Sequence, residues 1–251
     1  QNSSWDFGNR IASSLTNPSQ NYSMPGNYTV TLTVTSTAGC TASATTSVTV
    51  NPLPQADFNA PSTCLGGTTQ FSDASSIISG NITSWNWNFG DNTQSSNTSP
   101  SHTFASAGNY NTTLIIESDR GCRDTILKSI TVNGLPTASF TATNVCAGND
   151  INLTNNSSSL WGSITSTSWS FGDGTTSGST QPQHSFNNAG TYTIDLTVTT
   201  INGCTATMTS PVTIYPNPSA AFATQNICAG GATTFSNSSA GNGGNIFSDR
   251  K

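Results

Sequence analysis

Two histidines, His102 and His184, and six cysteines are the residues of this 251-residue chain best placed to do chemistry. A catalytic or metal role needs convergent partners, and neither histidine has a second His, Cys or carboxylate at ligand spacing. Each stands beside a strand phenylalanine, Phe104 or Phe186, which favours a structural hydrogen bond. Asp91 and Asp173 stand in Gly-Asp turns that offer one carboxylate each, where calcium wants several oxygen ligands. Turn formation is therefore their expected role, and no metal site is expected. No serine sits in a nucleophile elbow or beside triad partners. The expectation is a chain without catalysis and without a cofactor. Trp85 has a face that suits a sugar ring, although core packing is the commoner fate of such a residue. The sequons at Asn81, Asn111 and Asn152 occur at the frequency a chain so rich in Asn and Thr produces.

The elements that must position these residues repeat. Trp5-Asp6-Phe7-Gly8, Trp87-Asn88-Phe89-Gly90 and Trp169-Ser170-Phe171-Gly172 follow one another at intervals of 82 residues. Cys40, Cys122 and Cys204 keep the same interval, as do Cys64, Cys146 and Cys228, and the tyrosines Tyr28, Tyr110 and Tyr192. Modules in series supply length, spacing or many weak contacts, whereas an enzyme concentrates its chemistry in one irregular place. The phase of the repeat divides the chain into 1–51, the back half of a module; 52–133 and 134–215, two whole modules; and 216–251, the front half of another.

Charged residues make up 7% of the chain, and Ser, Thr and Asn about two-fifths. So little charge argues against a disordered solvating tail, and Thr and Ser suit the exposed faces of strands. A net charge of −5 with six basic residues leaves no footprint for nucleic acid. No apolar run is long enough to span a bilayer as a helix.

Within one module, Ile82 to Phe89 alternates, with Trp85, Trp87 and Phe89 on one side; from Tyr110 onward Tyr110, Thr112, Leu114 and Ile116 share a face. Gly-Asp turns and Gly-Cys turns punctuate the strands, and no helical period occurs. This predicts an all-β chain of tandem immunoglobulin-like sandwiches, with half-sandwiches at both termini and a core built on Trp5, Phe7, Tyr28, Trp87, Phe89, Tyr110, Trp169, Phe171 and Tyr192. The linkers, such as Asn133-Gly134-Leu135-Pro136, are short and proline-stiffened, which predicts a linear rod.

The ordered set Trp-x-Phe-Gly-Asp, Pro-x-His-x-Phe and Gly-x-Tyr, at Trp87–Asp91, Pro100–Phe104 and Gly108–Tyr110 and again at Trp169–Asp173, Pro182–Phe186 and Gly190–Tyr192, resembles the polycystic kidney disease (PKD) domain. The first repeat departs from it, with Asn9 for the Asp and Gln20 for the His. The added cysteines resemble the variant found in giant secreted and surface proteins of Bacteroidota. The resemblance implies a spacer, adhesive or glycan-contacting unit outside the cell. Asp124-Thr125-Ile126 resembles the Bacteroidota O-glycosylation acceptor, which would place a glycan on Thr125.

Regular cysteine spacing in small domains points to disulfides and an oxidising compartment, the other reading being six buried thiols. Module logic pairs Cys64 with Cys122 and Cys146 with Cys204, and leaves Cys40 and Cys228 to join across a module rebuilt from two halves. The expected partners are thus copies of the chain, or adjacent modules of a longer polypeptide, arranged head to tail into a filament. Surface glycans are the partners of the adhesive alternative, and an accessory arm of a secreted hydrolase is the third reading.

Overall fold

The structure is a computed structural model that describes residues 2–241. The front-half module expected over 216–251 therefore lies in part outside the described residues. The chain divides into two compact units, Gln1–Ala105 with Asn109–Val132, and Ser106–Gly108 with Asn133–Lys251. All regular structure among the described residues is β.

The module that begins at Asn133 shows the architecture most fully. A three-stranded sheet runs in the order Phe140–Ala142, Asp150–Asn155, Gln183–Ser185. A five-stranded sheet runs Val145–Cys146, Thr205–Tyr215, Gly190–Thr200, Ile164–Ser170, Thr176–Ser177. The long hairpin Gly190–Thr200 with Thr205–Tyr215 is antiparallel in unbroken register, whereas Val145–Cys146 lies parallel to the last strand. Alternation turns Ile194, Leu196 and Val198 inward. They meet Trp169, Phe171, Phe140, Ile151, Leu153 and Phe186 to form the core between the sheets. Burying such side chains is worth roughly 1.5–3 kcal/mol each.

The preceding module repeats this plan. Its five-stranded sheet runs Gln94–Ser95, Ile82–Asn88, Gly108–Ser118, Arg123–Asn133, Thr63–Cys64. Its core gathers Phe58, Phe71, Trp87, Phe89, Phe104, Leu114 and Ile116. Two short strands lie close together here, Thr69–Gln70 paired with Ser101–His102, and Ser72–Asp73 paired with Phe58–Asn59. The switch falls at Phe71, which is fully buried.

The flanking segments are single layers. Residues before Asn51 form a four-stranded sheet, Ala12–Ser13, Asn2–Asp6, Gly26–Thr35, Thr41–Val50, in which Phe7 and Val30 are buried and Trp5 and Tyr28 only half-buried. After Tyr215 the pair Phe222–Thr224 and Phe235–Asn237 leaves Phe222 70% and Phe235 69% exposed. Their repeat equivalents, Phe140 and Leu153, are 5% and 3% exposed. One layer of a sandwich leaves its apolar face uncovered.

Candidate functional site

The repeated signature residues come together in one place in each whole module. The Gly-Asp turn after the central strand aims Asp91 at the short strand that carries His102, and Nε2 of His102 lies 2.7 Å from Asp91 Oδ2. The other carboxylate oxygen, Oδ1, accepts the Thr93 amide at 3.0 Å and the Thr93 hydroxyl. His184 and Asp173 repeat the pair at 2.7 Å, with Thr175 in the place of Thr93. Each imidazole is sandwiched by the core. His102 stacks on Phe89 at 4.3 Å and meets the edge of Phe104; His184 stacks on Phe171 at 4.1 Å and meets Phe186. Phe104 and Phe186 in turn stack on Tyr110 and Tyr192.

Burial pushes the Asp91 carboxyl up, but the Thr93 hydroxyl, the His102 ring and the Thr93 amide outweigh it and hold the group below the ordinary carboxylate value. For Asp173 burial again raises the carboxyl, and the Thr175 hydroxyl and amide with the His184 ring leave it lowered.

An Asp, a His and a Thr side by side invite comparison with a nucleophile triad. In such a triad the acid holds one ring nitrogen and the nucleophile the other. Here Asp91 Oδ2 and Thr93 Oγ1, at 3.3 Å, both face Nε2 of His102, and the Thr93 hydroxyl also contacts Asp91 Oδ1. The cluster ties turn to strand. Among the described residues no group of three or more His, Cys, Asp or Glu is placed to hold a metal ion.

Further locks recur. The Trp5, Trp87 and Trp169 indole N–H groups donate to the carbonyls of Leu15, Asn97 and Ser179 at 3.2, 2.8 and 2.9 Å. The Tyr28 and Tyr192 hydroxyls donate to the carbonyls of Met24 and Asn188, four residues upstream, so these tyrosines act as half-buried corners. Trp85 is half-buried and gives its indole N–H to Asp73 at 2.8 Å. Thr125 is exposed on the strand Arg123–Asn133, while its neighbour Asp124 accepts the Ala56 amide.

The cysteines differ from expectation. Cys64 and Cys204 are disulfide-bonded, whereas Cys122, Cys146, Cys40 and Cys228 carry free thiols. Neither expected bridge, Cys64–Cys122 or Cys146–Cys204, is present. The reason is visible in the last strand. Cys146 pairs beside its final residue, Tyr215, while Cys204 immediately precedes its first, Thr205. Eleven extended residues separate the two cysteines, roughly 30 Å, whereas a disulfide needs Cα atoms within about 7 Å. Cys40 and Cys228, expected to join across two module halves, are both exposed.

Sequence reasoning treated Asp91 and His102 separately and missed that they bond. The signal was present: the pair is 11 residues apart in both modules, and the first repeat replaces both members at once, with Asn9 and Gln20.

The family profile of the PKD domain matches three times, over residues 1–50, 51–132 and 133–214. The chain belongs to the PKD domain family. A microbial collagenase of Vibrio alginolyticus is 39% identical to this PKD chain over 89 residues, 35% of this chain and 11% of that protein. The pre-pro-metalloprotease PrtV of Vibrio cholerae is 33% identical over 105 residues, 41% of this chain and 11% of that protein. The chain thus spans about a tenth of the length of these relatives. Among solved structures, the PKD1 domain of Vibrio anguillarum Epp is 34% identical, with a TM-score of 0.31 over 33% of this chain and 95% of that one.

Proposed function

We propose that the PKD array is a non-catalytic extracellular structural element, a run of sandwich beads that continues head to tail and sets distance within a giant secreted or surface protein or a filament. The observation that carries this reading is the commitment of the signature polar groups to one another. Asp91 with His102, Asp173 with His184 and the three tryptophan N–H groups form the same internal bonds in module after module. Repetition of a lock builds length; it does not build one reactive centre.

The uncovered layers support continuation. Phe222 and Phe235 present the face that Phe140 and Leu153 bury in the whole module, and the strands needed to cover it correspond to those of 2–50. A face of this kind is covered by the complementary half of a neighbouring module. Bonded Cys64 and Cys204 fit an oxidising compartment, and among the described residues no helix is long and apolar enough to cross a membrane. Electron microscopy and sedimentation of the intact native material test the reading: linear particles support it. Compact monomers that turn over a glycan or peptide panel, with turnover abolished by changing one side chain, would overturn it.

A second reading has its own support. Both matched Vibrio proteins are named as proteases, and the match covers about a tenth of each. This array would then be the accessory arm of a secreted hydrolase, and a catalytic domain in the same open reading frame decides for it.

A further inference from the structure

In the module over 134–215 the two sheets meet along a seam between the edge strand Phe140–Ala142 and the last strand, Thr205–Tyr215. The Asn156 amide donates to the Ser139 carbonyl at 2.8 Å, so those two residues form a hydrogen-bonded pair of the first sheet. The next residue, Phe140, stands opposite Asn155 and turns its N–H out of that sheet. This N–H donates to the Met208 thioether sulfur at 3.3 Å. Phe140 is buried and meets the edge of Trp169 at 5.2 Å, while Met208 is half-buried against the same core. One soft sulfur thus holds the seam on its open flank. The preceding module closes the same place with charge. There the Phe58 amide donates to Asp57 at 2.9 Å, the Ala56 amide to Asp124 at 2.8 Å, and the Lys128 ammonium to Asp57 and to the Phe58 carbonyl. Ile126 stands where Met208 stands one repeat later.

We propose that Met208 is an oxidation site, and that a peroxide acting on its sulfur opens the seam of this module and leaves that of the preceding module closed. In the step, a sulfur lone pair attacks one oxygen of hydrogen peroxide. The S–O bond forms as the O–O bond breaks, the proton of the transferred hydroxyl passes to the departing hydroxide, and water leaves. Sulfur is oxidised by two electrons and the peroxide is reduced.

Both products break the contact. A thioether sulfur has two lone pairs, and one of them takes the Phe140 N–H. Oxygen added to the other makes the sulfur electron-poor, so a buried amide loses its acceptor. Oxygen added to the first lies nearer the amide nitrogen than any hydrogen bond allows, and the edge strand must move away. A polar, chiral group also replaces an apolar one against Leu196, the fully buried cross-strand partner of Met208. The site works in the same way whether the array is a spacer or the arm of a hydrolase.

The test treats the intact protein with dilute hydrogen peroxide, quantifies both methionine sulfoxides by peptide mass spectrometry, and follows amide exchange and thermal unfolding. Met24, 68% exposed, is the internal reference for peroxide dose. Once Met208 is oxidised, exchange at the Phe140 amide should rise at least tenfold and the midpoint of its module should fall by about 5 °C or more. Peptides around Phe58 should exchange as before. Met208→Ile takes the residue of the preceding module and retains every cysteine, so it should show no peroxide-induced change at Phe140. Met208→Leu, of matching volume, reads the same response should the branched side chain unsettle the strand. Met208 that stays reduced when Met24 is fully oxidised would overturn the proposal. So would sulfoxide at Met208 with unchanged exchange at Phe140, or an equal peroxide response in the two variants.

Discussion

Asp91 and Asp173 are the side chains whose protonation the fold feels most directly. Each carboxylate accepts a backbone amide and a hydroxyl and also meets an imidazole, and is held below its ordinary value near 3.8. A carboxyl with a depressed folded value stabilises the fold above its unfolded pKa and loses that contribution as pH falls through the folded one. Thermal midpoints of both whole modules should therefore hold steady from neutral pH down to about 4 and then fall. Asp91→Asn should cost about 1–3 kcal/mol at neutral pH and flatten the acid limb of its own module, leaving that of the Asp173 module in place. The segment before Asn51, with Asn9 and Gln20, should show no such limb. Equal acid sensitivity of wild type and Asp91→Asn, followed by calorimetry, would remove the lock from the account.

At the scale of elements, the turn after each tryptophan strand depends on a glycine for two separable reasons. Gly90 and Gly172 have φ of +87° and +78°, and a Cβ on either would meet the carbonyl oxygen of Asn111 or Thr193 at 2.7 or 2.5 Å. Gly174, at φ +92°, has open space around its missing Cβ. Gly174→Ala should cost only the left-handed penalty, roughly 1–2 kcal/mol. Gly172→Ala adds a clash with backbone of a central strand, which cannot swing aside, so its loss should exceed that of Gly174→Ala by ~1 kcal/mol or more. Denaturant midpoints of the two variants, compared at equal m-value, check the order. Equal losses would mean that conformation alone selects the residue.

For the whole molecule, the uncovered layer after Tyr215 gives a direct test of continuation. Phe222→Ser with Phe235→Ser removes the apolar face without touching either whole-module core, which neither residue joins. The double variant should keep the unfolding midpoints of the whole modules while association falls at least tenfold, read by sedimentation velocity. Unchanged association would place the contact elsewhere.

The 82-residue period, the Trp-x-Phe-Gly strand, the alternation through Leu114 and Ile116 and the Gly-Asp turns were enough to derive tandem β-sandwiches, because strand pleating and turn chemistry are local and repeat in the letters themselves. The partnership of Asp91 with His102 needed the fold, since a turn and an edge strand meet only when the sheets close over Phe89 and Phe104. The cysteines needed it still more. An early and a late cysteine in one module look like a pair along the chain. The parallel seat of Val145–Cys146 at the far end of an 11-residue strand sends Cys146 to the pole opposite Cys204. Sulfur chemistry is decided by distance in space, and that distance is set by strand direction, which the order of residues does not spell out.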